Sequence, residues 1–232
     1  MRPNPNLAMV ERIASALGVF RERVVFLGGC ATGLLLTDPA APVIRTTRDV
    51  DVLIEVDTRT AYWKLEKEMV SRGFTRDQSE GAPIYRWLFD GLLLDLMPTD
   101  ATVLGFGNRW YPDVIHTAWI CTLPSGQRIR VVDAPHFLAT KLEAFYGRGG
   151  GDYLASHDME DMVAVIDGRP EIVEEVTAAG TKLRDHLGGA ITTLLADPAF
   201  PYALQGHLPS DPGSQARLPL LLKRLQGIAT KR

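Results

Sequence analysis

The sequence predicts an α/β protein in which a sheet-bearing part comes first and an all-helical part follows. Two observations carry that division. Short apolar, β-branched runs bounded by glycine and aspartate turns recur up to residue 132, and one pair of them is joined by Asp90-Gly91, the strongest short-range hairpin signal. From Asp133 onward the apolar residues recur at helical spacing instead. The expected domains are therefore an α/β core over 1–132 and a helical part over 133–232 packed against it.

Taken in order, Leu7, Val10, Ile13, Ala14 and Leu17 lie at helical spacing, predicting an amphipathic helix over 7–20 with Asn6 as its cap. Residues 24–27, Val-Val-Phe-Leu, read as a short buried strand, broken by Gly28-Gly29 and followed by a short helix that Asp38-Pro39 ends. Residues 49–55 alternate and are β-branched, a second strand, after which Asp57 is expected to cap a helix over 60–72. Residues 83–98 form the Asp90-Gly91 hairpin, and 118–132 a second hairpin turning at Pro124-Ser125-Gly126. The intervening stretch, 99–113, has little periodicity and reads as a loop at the sheet rim. Helices are then expected over 135–146, 156–166 and 170–186, with an interruption at Gly149-Gly150-Gly151, and further helices near 189–196 and 215–230 bracket a Pro- and Gly-containing loop over 198–213.

Composition narrows the function classes. The 232 residues are 46% hydrophobic and 23% charged, and 25 Lys plus Arg against 28 Asp plus Glu give a net charge of −3, so bulk charge offers no general affinity for nucleic acid or membrane. No apolar run approaches the roughly 18 residues of a membrane span, and no signal peptide is apparent, so the expected location is cytoplasmic. Cys30 and Cys121, each in an apolar stretch, read as buried thiols in a reducing compartment. No zinc spacing, dinucleotide fingerprint or Gly-x-x-x-x-Gly-Lys loop is present.

The residues that carry chemistry are carboxylates. Asp49 and Asp51 are two apart on a strand, so both project from one face while Val50, Val52 and Ile54 point to the other. Two close carboxylates repel unless a cation lies between them, which makes the pair a natural site for Mg²⁺ or Mn²⁺. Asp95 lies in an apolar strand, where a lone carboxylate is costly to bury without a partner. The Gly28-Gly29 turn lets backbone approach a phosphate, with amides of the following helix start as donors.

A glycine turn, then Thr47-Arg48-Asp49-Val50-Asp51, then a later strand Asp95 resembles the nucleotidyltransferase superfamily of DNA polymerase β, and most closely its AbiEii/AbiGii toxin group, which includes the MenT-type toxins. The segment Ala134-Pro-His-Phe-Leu-Ala-Thr-Lys141 resembles that group's lysine helix, and His157-Asp158-Met-Glu-Asp161 its following paired-Asp helix, with His157 where Lys or Arg is usual. The resemblance covers residues 24–166. It implies a small mixed β-sheet flanked by helices, and a metal-dependent transfer of a nucleoside monophosphate from a nucleoside triphosphate such as ATP, releasing pyrophosphate. Asp49 and Asp51 would bind the metals that bridge the triphosphate, and Asp95 would complete the second metal and help deprotonate the acceptor. Lys141 would neutralise triphosphate charge, Asp158 would orient Lys141 or the nucleotide, and Gly28, Gly29 and Arg48 would hold phosphate. The implied acceptor is the 3′ end of tRNA and the implied role that of a toxin, with a cognate antitoxin as partner; a protein or small-molecule hydroxyl, or a nucleotide-binding module without turnover, is the alternative.

Plainer readings stand beside these. Asp49 and Asp51 also suit a solvated strand edge, Asp95 an ion pair with Arg86 across the hairpin, and Lys141 the wet face of a helix. Asp161 reads as a surface carboxylate. The basic stretch with Arg217, Lys223, Arg224, Lys231 and Arg232 suits either a packed terminal helix or an RNA contact, and Arg109-Trp110 either a nucleic-acid clamp or a cover for the core edge.

Overall fold

The computed structural model describes residues 4–56, 58–148 and 151–230. The chain forms two compact units, one of Asn4–Leu34 with Thr46–Asp133, the other of Leu35–Arg45 with the chain from Ala134 onward.

Among the described residues, seven strands of the first unit form one mixed sheet: β1 (Val24–Leu27), β2 (Asp49–Ile54), β3 (Thr75–Arg76), β4 (Arg86–Phe89), β5 (Leu92–Pro98), β6 (Trp119–Thr122) and β7 (Arg128–Val131), in the order β3-β4-β5-β2-β1-β7-β6. The pairs β2–β5 and β1–β7 are parallel and the rest antiparallel. The sheet's core side is built by the residues between the polar ones, with Val50, Val52, Leu94 and Leu96 fully buried. The Asp90-Gly91 turn has φ of 47° and 75°, both left-handed, as a two-residue type I′ turn requires. It pairs Phe89 with Leu92 and, three steps back, Arg86 with Asp95.

Helix α1 (Leu7–Leu17) buries Val10, Ile13, Ala14 and Leu17 and gives way to a 3₁₀ turn over Gly18–Glu22. Asn6 does not cap it by a side-chain bond, as the sequence suggested; its Oδ1 accepts instead from the Thr47 amide at 2.9 Å. Helix α2 (Gly28–Leu35) follows β1 without a spacer. Asp57, the expected cap of the next helix, lies outside the described residues; Thr58 fills that role for α3 (Arg59–Ser71), accepting from the Ala61 amide at 3.1 Å. The predicted rim loop contains two short helices, α4 (Ala101–Leu104) and the start of α5 (Tyr111–Thr117), nucleated by the Asp100 cap and by Pro112 in the first turn.

The second unit is helical: α6 (Ala134–Arg148), α7 (His157–Gly168), α8 (Ile172–Ala178), α9 (Thr181–Ala196), α10 (Ala199–His207), α11 (Pro212–Gln215) and α12 (Leu218–Ala229). Of the expected glycine interruption, Gly149 and Gly150 lie outside the described residues. The helix expected over 170–186 is two helices, because the backbone turns extended at Ala179, with a ψ of 158°, where α8 ends, and stays so at Gly180, from which α9 starts. The helix near 189–196 is the second half of α9, which runs through Gly188-Gly189 because Leu183, Leu187, Ile191 and Leu194 form one buried stripe. Likewise the loop over 198–213 holds α10: Pro198 sits at its cap and Pro201 in its first turn, where a missing N–H is harmless, and Phe200, Ala203 and Leu204 are buried. Among the described residues, no helix is long and apolar enough to cross a membrane. Cys30 is buried and Cys121 half-buried.

Candidate functional site

The sheet unit gathers the three predicted carboxylates. Asp49 and Asp51 share one face of β2, and the parallel register sets Asp51 directly beside Asp95 of β5. Arg86, opposite Asp95 on the antiparallel side, completes the row. Its Nε donates to Asp95 Oδ1 at 2.7 Å, and its Nη2 donates to both Asp95 Oδ2 and Asp49 Oδ2 at 2.8 Å. Asp49 Oδ1 also accepts from the Thr47 hydroxyl at 2.9 Å. Burial pushes the Asp95 carboxyl above its ordinary value, against the pull of Arg86, and Asp95 in turn holds the guanidinium well above the ordinary arginine range.

Asp51 points to the other neighbour, β1. Gly28 has a φ of +68°, and a Cβ built there would lie 1.9 Å from Asp51 Oδ2. Only glycine fits, for the backbone conformation and for the carboxylate pressed against it. Gly29 lies buried in the first turn of α2, and Arg48 is exposed immediately before β2. In any α-helix the first amides have no carbonyl one turn earlier to bond, and in α2 that end of the helix begins at Gly28, against Asp51.

Three hard oxygen donors on one face suit a divalent cation by their chemistry. As folded they do not fit one: Arg86 holds Asp49 and Asp95 together, and among the described residues no three His, Cys, Asp or Glu side chains are grouped to hold a metal ion. The ion pair with Arg86, the plainer reading of Asp95, is what the fold contains.

Lys141 and Asp158 belong to the helical unit and form a second cluster there. Lys141 on α6 is 7% exposed, and its Nζ lies 3.0 Å from Asp158 Oδ1 and 2.7 Å from Asp161 Oδ2 on α7. It is therefore not on a wet helix face. Burial alone would lower its pKa, but Asp161 and Asp158 outweigh that and raise it, so the ammonium stays charged. Asp161 is 1% exposed, contrary to its reading as a surface carboxylate, and takes a two-pronged contact from Arg45 at 2.8 and 2.7 Å. Its i, i+3 spacing from Asp158 placed both on one face of α7; that the face is the inner one was the missing information. Arg45 had no local signal at all. His157 is exposed and lies 3.3 Å from Glu160.

Two candidate nucleic-acid contacts turn inward. Arg217 donates to Asp167 at 2.7 Å and to Asp38 at 2.6 Å, and Arg224 is 8% exposed and donates to the Ile166 carbonyl. Lys223 is exposed, and Lys231 and Arg232 lie outside the described residues. Trp110 is 2% exposed at the start of α5, with Arg109 over its ring, so it covers core.

No protein-family model matches the chain, and no curated protein sequence matches it. The fold is similar to the crystal structure of an antigenic nucleotidyltransferase-like protein from Paracoccidioides brasiliensis, with a TM-score of 0.51 and 22% identity over 87% of this chain and 92% of that one. At that identity the likeness concerns the fold, which is nucleotidyltransferase-like.

Proposed function

We propose that the chain transfers a nucleoside monophosphate from a nucleoside triphosphate to an acceptor hydroxyl. The observation that carries this reading is the row of Asp49, Asp51 and Asp95 on one sheet face, beside the Gly28 turn that opens α2. In the reaction the acceptor oxygen bonds to the α-phosphorus, the bond to the bridging oxygen breaks, and pyrophosphate leaves. The first amides of α2 would hold a phosphate oxygen. Asp95, whose burial raises its proton affinity, would take the acceptor's proton. Lys141 and Asp158 enter through the resemblance, the lysine to neutralise triphosphate charge and the aspartate to orient it; the 3.0 Å contact between them agrees with the second role. Dependence on Mg²⁺ or Mn²⁺ is likewise part of the proposal through the resemblance, since the carboxylates as folded are engaged by Arg86.

The acceptor we favour is the 3′ end of tRNA, with the chain acting in the cytoplasm as a toxin restrained by an antitoxin; the likeness of Thr47-Arg48-Asp49-Val50-Asp51 and of the lysine helix to such toxins supports it. Incubating the protein and Mg²⁺ with total tRNA and each α-³²P nucleoside triphosphate tests it. Label on tRNA, absent with Asp49→Ala/Asp51→Ala, is the expected result; label on a protein or small molecule from added lysate would keep the chemistry and replace the acceptor. One observation favours a second reading, a nucleotide-binding module without turnover: Arg86 already engages two of the three carboxylates in ion pairs. That reading predicts thermal stabilisation by nucleotide that needs no metal and survives Asp49→Ala.

A further inference from the structure

The gap between Asp49 and Asp95 is spanned by one nitrogen. Arg86 Nη2 is 2.8 Å from Asp49 Oδ2 and 2.8 Å from Asp95 Oδ2, while Nε fixes the remaining Asp95 oxygen at 2.7 Å. A magnesium ion requires its oxygens at about 2.0–2.1 Å in near-octahedral array. In the same gap it would lie within van der Waals contact of the guanidinium, cation against cation. We infer that Arg86 and a divalent cation are alternative occupants of the Asp49–Asp95 gap, so that Arg86 withholds the carboxylate face from metal until it is displaced. This deepens the nucleotidyl-transfer reading of the same face by giving it a built-in competitor.

The surroundings allow the exchange. The Arg86 side chain is 21% exposed and that of Asp49 26%, so solvent ions reach the outer half of the pair. Arg86 stands on β4, whose outer neighbour is only the two-residue β3, and its long side chain can swing out without breaking a strand. Asp95, 6% exposed in its side chain, stays where β5 puts it, as does Asp51 beside it. The resting fold therefore holds Asp49 and Asp95 on one guanidinium, and a cation that enters trades places with a fixed charge of the chain.

The test is Mn²⁺ binding to the full chain without nucleotide, followed by the electron paramagnetic resonance signal of free Mn²⁺. Arg86→Gln should bind Mn²⁺ about tenfold more tightly than wild type or better, the loss of charge-assisted hydrogen bonds that compete for the same oxygens. Adding Asp49→Asn to it should abolish the gain. If Arg86→Gln binds no more tightly than wild type, whether both bind or neither does, the inference is overturned. Should Arg86→Gln prove unfolded by circular dichroism, Arg86→Lys decides instead: a lysine cannot bridge both carboxylates, so tighter Mn²⁺ binding supports competition and unchanged binding refutes it. Nucleotide labelling of tRNA by the wild type is a separate readout. Tight Mn²⁺ binding by Arg86→Gln with no labelling removes the proposed reaction and keeps the competition; labelling with unchanged Mn²⁺ affinity does the reverse.

Discussion

Lys141 shows how little a single residue's type reveals of its setting. In sequence it is a lysine on an amphipathic helix, which ordinarily faces water. In the fold it is buried between Asp158 and Asp161, and Arg45 closes the far side of Asp161. Truncating it leaves two carboxylates in the interior facing one guanidinium. Lys141→Ala should accordingly destabilise the protein by about 3–5 kcal/mol, the usual result of breaking a buried ion pair, measured by urea unfolding followed by circular dichroism. Adding Asp158→Asn to Lys141→Ala should recover part of that loss, since it removes one stranded charge; no recovery would mean that the two side chains are not coupled. Arg86 was more legible. A two-residue Asp-Gly turn fixes the register of its hairpin, and counting back from that turn along the chain sets Arg86 opposite Asp95. The reach of Nη2 onward to Asp49 was not legible, because the neighbour of β5 on its other side is β2, from far upstream in the chain.

Elements defined by their own local pattern were readable, and those defined by what they bury were not. β1 and the β4–β5 hairpin follow from apolar runs and a turn. By contrast, α10 hides in a proline-containing stretch and exists because Phe200 and Leu204 have a core to enter. Helix α3 illustrates how an element is pinned to the sheet. Tyr62 is 1% exposed, and its hydroxyl donates to the Leu96 carbonyl of β5 at 2.9 Å. Burial pushes this phenol up to about 12. Because the folded value lies above the unfolded one of about 10, the neutral hydroxyl contributes fully below pH 10, and the contribution is lost as pH rises through about 12. Stability should therefore fall across that alkaline window, and the slope should be shallower in Tyr62→Phe. The same variant should be about 1 kcal/mol less stable at neutral pH, for the hydrogen bond it lacks. Urea midpoints at pH 7, 10 and 11 check both expectations.

At the scale of the whole molecule, the chain visits the helical unit twice. Leu35–Arg45 belongs with the helices that begin at Ala134, and the strands from β2 to β7 come in between. Nothing periodic marks that segment, so a reading by local pattern leaves it with the sheet; its allegiance rests on distant partners, Asp38 with Arg217 and Arg45 with Asp161. A fragment of residues 1–133 should thus leave the segment without its anchors. Trypsin should cut after Arg45 in the fragment about tenfold faster than in the intact chain, as followed by mass spectrometry, whereas equal rates would show that the anchors do not hold it. The same threading bears on how the protein is made. Asp38 and Arg45 leave the ribosome long before Asp167, Asp161 and Arg217 have been synthesised, so a nascent chain can close its sheet while this arm waits for its partners. A ribosome that stops after β7 and before α7 would release a molecule with its strands in order and a tethered strap whose partners were never made.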